Sequence, residues 1–168
     1  MVSDIIADGK NVVAVAKKYG RLAQLVNESA TKKRSRAFRD LEVLVYWGET
    51  GTNKTRTPCD MGAYLWCPNG AQEWWDGYDQ EDILLIDQFY GQMRPARLCE
   101  LLDGYSCRLP IKGGHTYAAW TKVYITSLCH PSTWYKDVPE DVQTKIARRI
   151  KKSIQFVKNS KGQVECIE

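Results

Sequence analysis

Short apolar runs, separated by polar and glycine-containing segments, make up the central part of this chain. Each run is four or five residues long and is made mostly of β-branched, leucine or aromatic residues, which is typical of buried β-strands. The strands predicted in this way are 43–47, 63–66, 83–86 and 123–127. Helical segments are predicted among them, and such a mixture indicates an α/β fold.

The helical segments are recognised by their apolar spacing and their end signals. A short helix is predicted to begin near Thr55, and a second covers 94–103. A third begins at 137–140, with a proline near its first turn. The buried stripe of this last helix is predicted to be Val142, Ile146, Ile150 and Ile154. Residues 108–119 are predicted to form a hairpin with a glycine-rich tip.

The first 40 residues are predicted to be a separate helical region, distinct from a main domain at 41–168. Apolar residues recur there at steps of three and four, which predicts a helix of roughly 15 residues. Its apolar stripe consists of Val12, Val15, Tyr19, Leu22 and Val26. This stripe either packs on its own domain or serves as an oligomerisation surface. The basic run Lys32–Arg36 then acts as a linker, or as a patch for nucleic acid or targeting.

Composition and charge narrow the class of protein. The chain has 168 residues and a net charge of +4, but residues 41–137 are acidic whereas both flanks are basic. That asymmetry permits a polyanionic partner. No run of about 18 apolar residues is present, so no membrane span is expected. The six cysteines lack a Cys-x-x-Cys pair, which predicts reduced, mostly packed thiols in a cytosolic or nuclear protein.

The loop after the first predicted strand carries the clearest chemical signal. The strand 43–47 leads into Gly48-Glu49-Thr50-Gly51-Thr52-Asn53-Lys54-Thr55. A strand followed by a glycine-containing loop that ends in Lys-Thr is the layout of a phosphate-binding loop. Lys54 would reach the β- and γ-phosphates of ATP, and the Thr55 hydroxyl would bind Mg²⁺. Asn53 stands where glycine is usual, but asparagine tolerates the positive φ that such a position often needs.

Asp87 follows the apolar run 83–86 directly. A carboxylate at the end of a strand lies at the carboxyl edge of the sheet, where α/β folds bind ligands. Beside a phosphate-binding loop, it fits the aspartate that holds Mg²⁺. Capping of an ordinary turn is the alternative role.

Four segments in this order resemble the successive motifs of superfamily 3 helicases, and more closely the replication-associated proteins of circular single-stranded DNA viruses. The segments are Gly48–Thr55, Ile83–Gly91, Lys112–Gly114 and Val123–Ser127. The resemblance covers about Leu41 to Ile150. It implies an AAA+-like P-loop NTPase sheet flanked by helices, and an ATP- and Mg²⁺-dependent DNA helicase. It also implies a ring, commonly hexameric, around single-stranded DNA, with ATP sites between subunits, acting in rolling-circle replication in the host nucleus.

The resemblance also assigns roles to further residues. The hairpin tip, with Lys112, Gly113 and His115, would contact DNA phosphates in the channel of the ring. Arg148 and Arg149 match the region of the arginine finger, which would reach the γ-phosphate bound by a neighbouring subunit. The family's nicking domain carries a His-hydrophobic-His motif ahead of the phosphate-binding loop. Both histidines of this chain follow that loop, so nicking is not assigned to it.

Two positions depart from the family's motifs. Gln88 stands where Asp or Glu usually activates water, and an amide cannot accept the proton. Leu128 stands where Asn usually senses the γ-phosphate, although Thr126 and Ser127 before it match. These departures leave open an alternative to a helicase, namely a nucleotide-gated single-stranded DNA-binding and oligomerisation module with little hydrolysis. A small-molecule P-loop kinase is a separate alternative, which is disfavoured because such kinases usually carry an arginine-rich lid, whereas the segment after this loop is aromatic and acidic.

Overall fold

A computed structural model of the chain describes residues 19–20, 38–68 and 73–167. Residues 19–20 are helical, and the segments 38–68 and 73–167 contain eight strands, three α-helices and one 3₁₀ turn at Pro131–Thr133. In chain order the elements are β1 (Glu42–Gly48), α1 (Arg56–Asp60), β2 (Tyr64–Trp66), β3 (Ile83–Ile86), α2 (Pro95–Leu101), β4 (Arg108–Ile111), β5 (Gly114–Tyr117), β6 (Lys122–Ser127), α3 (Glu140–Ala147), β7 (Lys152–Lys158) and β8 (Val164–Ile167).

The main sheet has the strand order β2-β3-β6-β1-β7-β8, and its first five strands are parallel. Only β8 is antiparallel, to β7, and β4 and β5 form a separate hairpin. Because parallel strands end at the same edge, the residues after β1, β3 and β6 meet there. The described part of the chain is thus α/β with a mostly parallel sheet, which is compatible with the predicted P-loop NTPase fold.

The most apolar strands occupy the centre of the sheet. At most 1% of the surface is exposed for four of their side chains: Val43 and Val45 of β1, and Val123 and Ile125 of β6. Strands of a parallel sheet are covered on both faces, which explains why their sequences are apolar runs rather than alternating patterns. Beside them, the indole of Trp75 is fully buried and lies parallel to those of Trp66 and Trp120, at centroid distances of 4.4 and 5.4 Å.

The predicted final helix is too long. α3 ends at Ala147, and Ile154, which was placed on its buried stripe, belongs instead to β7. Strand β7 pairs in parallel with β1, so that Leu44 lies opposite Lys152 and Gly48 opposite Phe156. The four-residue spacing of the isoleucines fits a helix, but backbone pairing with the open side of β1 overrides it. Neither β7 nor β8 was predicted from the sequence.

The other strands and helices predicted for residues 41–147 agree with the structure to within a few residues. The helix with the Val12–Val26 stripe and the basic run Lys32–Arg36 lie outside the described residues, apart from Tyr19. No helix of the described part is long and apolar enough to cross a membrane. All six cysteines are free thiols, as predicted, but four of them are exposed, so the prediction of mostly packed thiols is wrong.

Candidate functional site

A cavity of about 660 Å³ opens at the carboxyl edge of the sheet. It brings together three segments that the sequence had singled out separately: the loop after β1, the residues after β3, and the end of β6. The residues that line it are Thr50, Gly51, Thr52, Asn53, Lys54, Thr55, Arg56, Asp87, Gln88, Phe89, Tyr90, Thr126, Ser127, Leu128 and Cys129. Most of the predicted nucleotide-site residues therefore surround one space.

The backbone of the loop 48–55 has the conformation that such a site requires. Asn53 has φ of 61°, so the positive φ predicted for it is confirmed. Gly51 has φ of 72° and Gly48 has φ of 124°. A Cβ on Gly48 would lie 2.1 Å from the carbonyl oxygen of Phe156 on β7, so only glycine fits where the loop leaves the sheet.

Lys54 is buried inside this loop, and its ammonium is bonded to loop oxygens. Nζ donates to the carbonyl of Gly48 at 2.9 Å, to the hydroxyl of Thr52 at 3.1 Å and to the carbonyl of Glu49. An ammonium has three protons, so all three have partners. Burial lowers the pKa of Lys54, while the nearby carboxylates of Asp87 and Glu49 oppose that shift.

Asp87 is the point at which the three segments meet. Its Oδ1 accepts a hydrogen bond from the Thr55 hydroxyl at 2.8 Å and another from the Thr126 hydroxyl, and the residue is only 7% exposed. Carboxylate and hydroxyl oxygens are the hard ligands that Mg²⁺ prefers. The Thr55–Asp87 pair predicted to hold the metal therefore lies within direct contact, although 32 residues separate the two in the chain.

Gln88, the residue after Asp87, has a strained backbone conformation. Its φ is 54°, a conformation that costs most non-glycine residues on the order of 1 kcal/mol. Its N–H donates to the Thr126 hydroxyl at 3.0 Å and its carbonyl accepts from Gln92. These bonds leave the Gln88 side chain exposed at the cavity. It can orient a water molecule there but cannot take a proton from it.

The two residues after Thr126 have different environments. Ser127 is buried, and its hydroxyl accepts hydrogen bonds from the Trp134 indole N–H and the Cys129 N–H, both at 3.1 Å. These bonds fix the loop that follows β6. Leu128 is 65% exposed and lines the cavity with an apolar side chain. It offers no hydrogen bond to a bound phosphate.

The hairpin lies away from this cavity. Its turn consists of Lys112 and Gly113 alone, whereas Gly114 and His115 belong to β5. The Lys112 side chain is 79% exposed, its Nζ lies 3.6 Å from Asp76 Oδ2, and its N–H donates to Asp76 Oδ1 at 2.8 Å. His115 Nδ1 accepts from Arg108 at 3.0 Å, so a second cation lies on the hairpin beside His115.

The two candidate arginines after α3 are also outside the cavity, and they are not equivalent. Arg149 makes an ion pair with Asp103 at 2.7 Å and donates to the Lys145 carbonyl at 2.7 Å. Its side chain is only 17% exposed. Arg148 is exposed, and within the described residues its side chain has no hydrogen bond or ion pair. Arg149 therefore holds the end of α3 to the segment that carries Asp103, whereas the Arg148 guanidinium is available for contact with another molecule.

The sequence did not point to several residues at the cavity. Phe89 and Tyr90 lie within the segment Ile83–Gly91 but were given no role of their own, and Cys129 comes immediately after Leu128. Lys158 lies beside the loop at Gly51, and its ammonium is 3.1 Å from the position of a Cβ on that glycine. Recognition of β7 as a strand next to β1 would have placed Lys158 at this edge.

Comparison with known proteins yields relatives of one kind. No family model matches the chain. The replication-associated protein of Canary circovirus is 34% identical over 139 residues, which cover 76% of this chain and 45% of that protein. The replication-associated protein of Beak and feather disease virus is 37% identical over 57% of this chain and 33% of its own length. That of Porcine circovirus 2 is 29% identical over 90% of this chain and 48% of its own length. The chain thus spans between a third and half of these relatives.

Proposed function

We propose that this chain, a homologue of the replication-associated proteins of circular single-stranded DNA viruses over most of its length, is the ATP-dependent helicase domain of a rolling-circle replication initiator. The homology supports the role in viral DNA replication. We further propose that the domain assembles into a hexameric ring on single-stranded DNA in the host nucleus, with its ATP sites between subunits.

The contact between Thr55 and Asp87 is the observation that carries the ATPase proposal. It joins the end of the phosphate-binding loop to the end of β3 at 2.8 Å, inside the cavity. These two residues would hold Mg²⁺, which would neutralise charge on the β- and γ-phosphates. Lys54 already lies within the loop, and a phosphate oxygen would replace one or more of its three loop acceptors. Backbone N–H groups of the loop would bind the remaining phosphate oxygens.

Arg148 is the better candidate for the arginine finger. A finger must extend from one subunit to the γ-phosphate in the next, so its guanidinium has to be available. Arg149 is committed to Asp103 in its own subunit, and its loss would loosen α3. The exposure of Arg148 supports its role in trans, and the sequence had left this choice open.

Single-stranded DNA is proposed to bind at the hairpin. Exposed Arg108 and Lys112 and half-buried His115 form a basic group there, and Lys112 lies at the turn itself. Phosphate contacts of this kind carry no base information and weaken with salt. Asp76 competes for Lys112, so DNA has to displace an exposed ion pair, which contributes little.

A second function is favoured by Gln88 and Leu128. The exposed amide of Gln88 cannot act as the general base, and Leu128 contributes no polar group to the cavity. The chain would then bind Mg·ATP and single-stranded DNA and assemble, but hydrolyse slowly.

Measurement of ATP turnover with and without a poly-dT strand separates these functions. A helicase should hydrolyse ATP faster when the strand is present, and Lys54→Ala should abolish turnover. A nucleotide-gated module should bind Mg·ATP with saturation but show little turnover under either condition. Saturable binding that Lys54→Ala leaves unchanged would contradict both functions, because the phosphate-binding loop would not be the nucleotide site.

A further inference from the structure

The carboxyl end of β7 lies directly against the phosphate-binding loop. Gly48 is paired with Phe156, whose carbonyl leaves no room for a side chain on that glycine. Lys158 comes two residues after Phe156, so both side chains lie on the same face of the sheet. The Phe156 ring packs 4.9 Å from that of Tyr46 on β1. Lys158 therefore projects from the next strand onto the face where the loop leaves β1.

The Lys158 ammonium reaches the loop itself. Nζ lies 3.1 Å from the position that a Cβ would occupy on Gly51, and Gly51 lines the cavity. Its charge also contributes to the lowering of the Lys54 pKa, after the larger effect of burial. Two lysine ammoniums, one from the loop itself and one from β7, thus lie close to the same loop, where their mutual repulsion favours the binding of an anion.

The two ammoniums differ in their present partners. All three protons of Lys54 are engaged by loop oxygens. Within the described residues, the Lys158 side chain makes no hydrogen bond or ion pair, and the residue is exposed. Its backbone, by contrast, is held in register opposite Val164 of β8. Lys158 is thus a cation on a fixed strand, with its three protons available beside the loop.

We propose that Lys158 is a second phosphate-binding lysine of the nucleotide site, which contacts the polyphosphate chain from the β7 side. This inference rests on the proposed function, because it assumes that the loop 48–55 binds a nucleotide. Lys54 would approach the phosphates from within the loop, and Thr55 and Asp87 would hold the metal on the β3 side. Lys158 adds a second positive charge beside the loop, at Gly51.

Equilibrium titrations of the full chain with Mg·ATP, Mg·ADP and inorganic tripolyphosphate test the proposal. Lys158→Met removes the charge and keeps the length of the side chain, whereas Lys158→Arg keeps the charge. Lys161→Met is the matched control, since Lys161 is an exposed lysine in the turn between β7 and β8. We expect Lys158→Met to lower the affinity for all three ligands about tenfold, because the lost contact is charge-assisted but exposed. Lys158→Arg should restore most of the affinity, and Lys161→Met should behave as the starting protein.

Chemical modification gives a second measurement that does not depend on substitution. An amine-reactive reagent should acetylate Lys158 and Lys161 in the free protein, and saturating tripolyphosphate should protect Lys158 alone. Equal labelling of Lys158 with and without tripolyphosphate would overturn the proposal, as would unchanged affinities in Lys158→Met. Loss of ATP affinity with tripolyphosphate affinity intact would place the contact at the base or ribose, and would also overturn it. Failure of the starting protein to bind any nucleotide would instead refute the proposed function.

Discussion

The buried hydroxyl of Thr126 connects the two residues on which the proposed chemistry depends most. It donates to Asp87 Oδ1 and accepts from the Gln88 N–H at 3.0 Å, and the residue is only 3% exposed. Thr126→Val keeps the shape of the side chain and removes both hydrogen bonds. We therefore expect this variant to be less stable and to bind Mg²⁺ with its nucleotide more weakly.

The magnitude follows from what each partner loses. A hydrogen bond to a charged group contributes about 1.5–3 kcal/mol, and an unsatisfied buried group costs about 1–3 kcal/mol. Water can reach part of the exposed Gln88 position, so the combined loss should be about 2–3 kcal/mol rather than the full sum. For a chain of this size, that loss corresponds to a fall in melting temperature of about 4–12 °C.

Urea unfolding and Mg²⁺ titration in the presence of ATP measure the two effects separately. Tyr78→Phe is a suitable control, because the Tyr78 hydroxyl accepts from the Ala119 N–H at 2.9 Å and does not line the cavity. Both variants should lose stability, but only Thr126→Val should raise the Mg²⁺ concentration required, by about tenfold, or ~1.4 kcal/mol. If the two variants show the same Mg²⁺ dependence, Thr126 only packs and the reasoning about Asp87 is refuted.

Three further predictions concern hydrolysis, DNA and assembly. Gln88→Glu should raise single-turnover ATP hydrolysis by about 10²–10⁴-fold, since it supplies a general base, and an unchanged rate would mean that water is activated elsewhere. Lys112→Ala should lower the affinity for poly-dT and for mixed-sequence strands similarly and flatten the salt dependence of binding, whereas Asp76→Asn should raise both the affinity and the salt dependence. Changes in the opposite directions in a filter-binding or anisotropy assay would contradict the hairpin assignment. Arg148→Ala should abolish ATP turnover without a change in melting temperature, whereas Arg149→Ala should lower the melting temperature. Rings that mix Arg148→Ala subunits with subunits of a phosphate-loop variant should recover ATP turnover, and no recovery despite co-assembly would exclude action in trans.

Much of the candidate site could be predicted because its signals are local. The strand 43–47 and the loop that follows it are adjacent in the chain, and the need for positive φ at Asn53 depends on the backbone of that residue alone. The position of Asp87 at the end of an apolar run was likewise enough to place it at the carboxyl edge of a parallel sheet. That edge is where the structure brings Asp87 and Thr55 together.

The residues that were missed or undecided depend on contacts between distant segments. Whether Arg148 or Arg149 is free is decided by Asp103, which no spacing in the chain relates to α3. Gln88 gives no sign in its sequence that its backbone adopts φ of 54°. The distant contact there is the hydrogen bond from the Gln88 N–H to Thr126 of β6, and a local bond from Gln92 accompanies it.

By itself, the sequence determined where the central strands lie in the chain, the phosphate-binding loop and the carboxylate that faces it, because apolar runs and turn residues act over a few positions. Only the tertiary structure decided that residues 152–158 form a strand and not the end of a helix. Isoleucines four apart fit a helix equally well, and the open side of β1 makes the difference by offering unpaired backbone groups. The same pairing carries Lys158 to the phosphate-binding loop, over a hundred residues away in the chain.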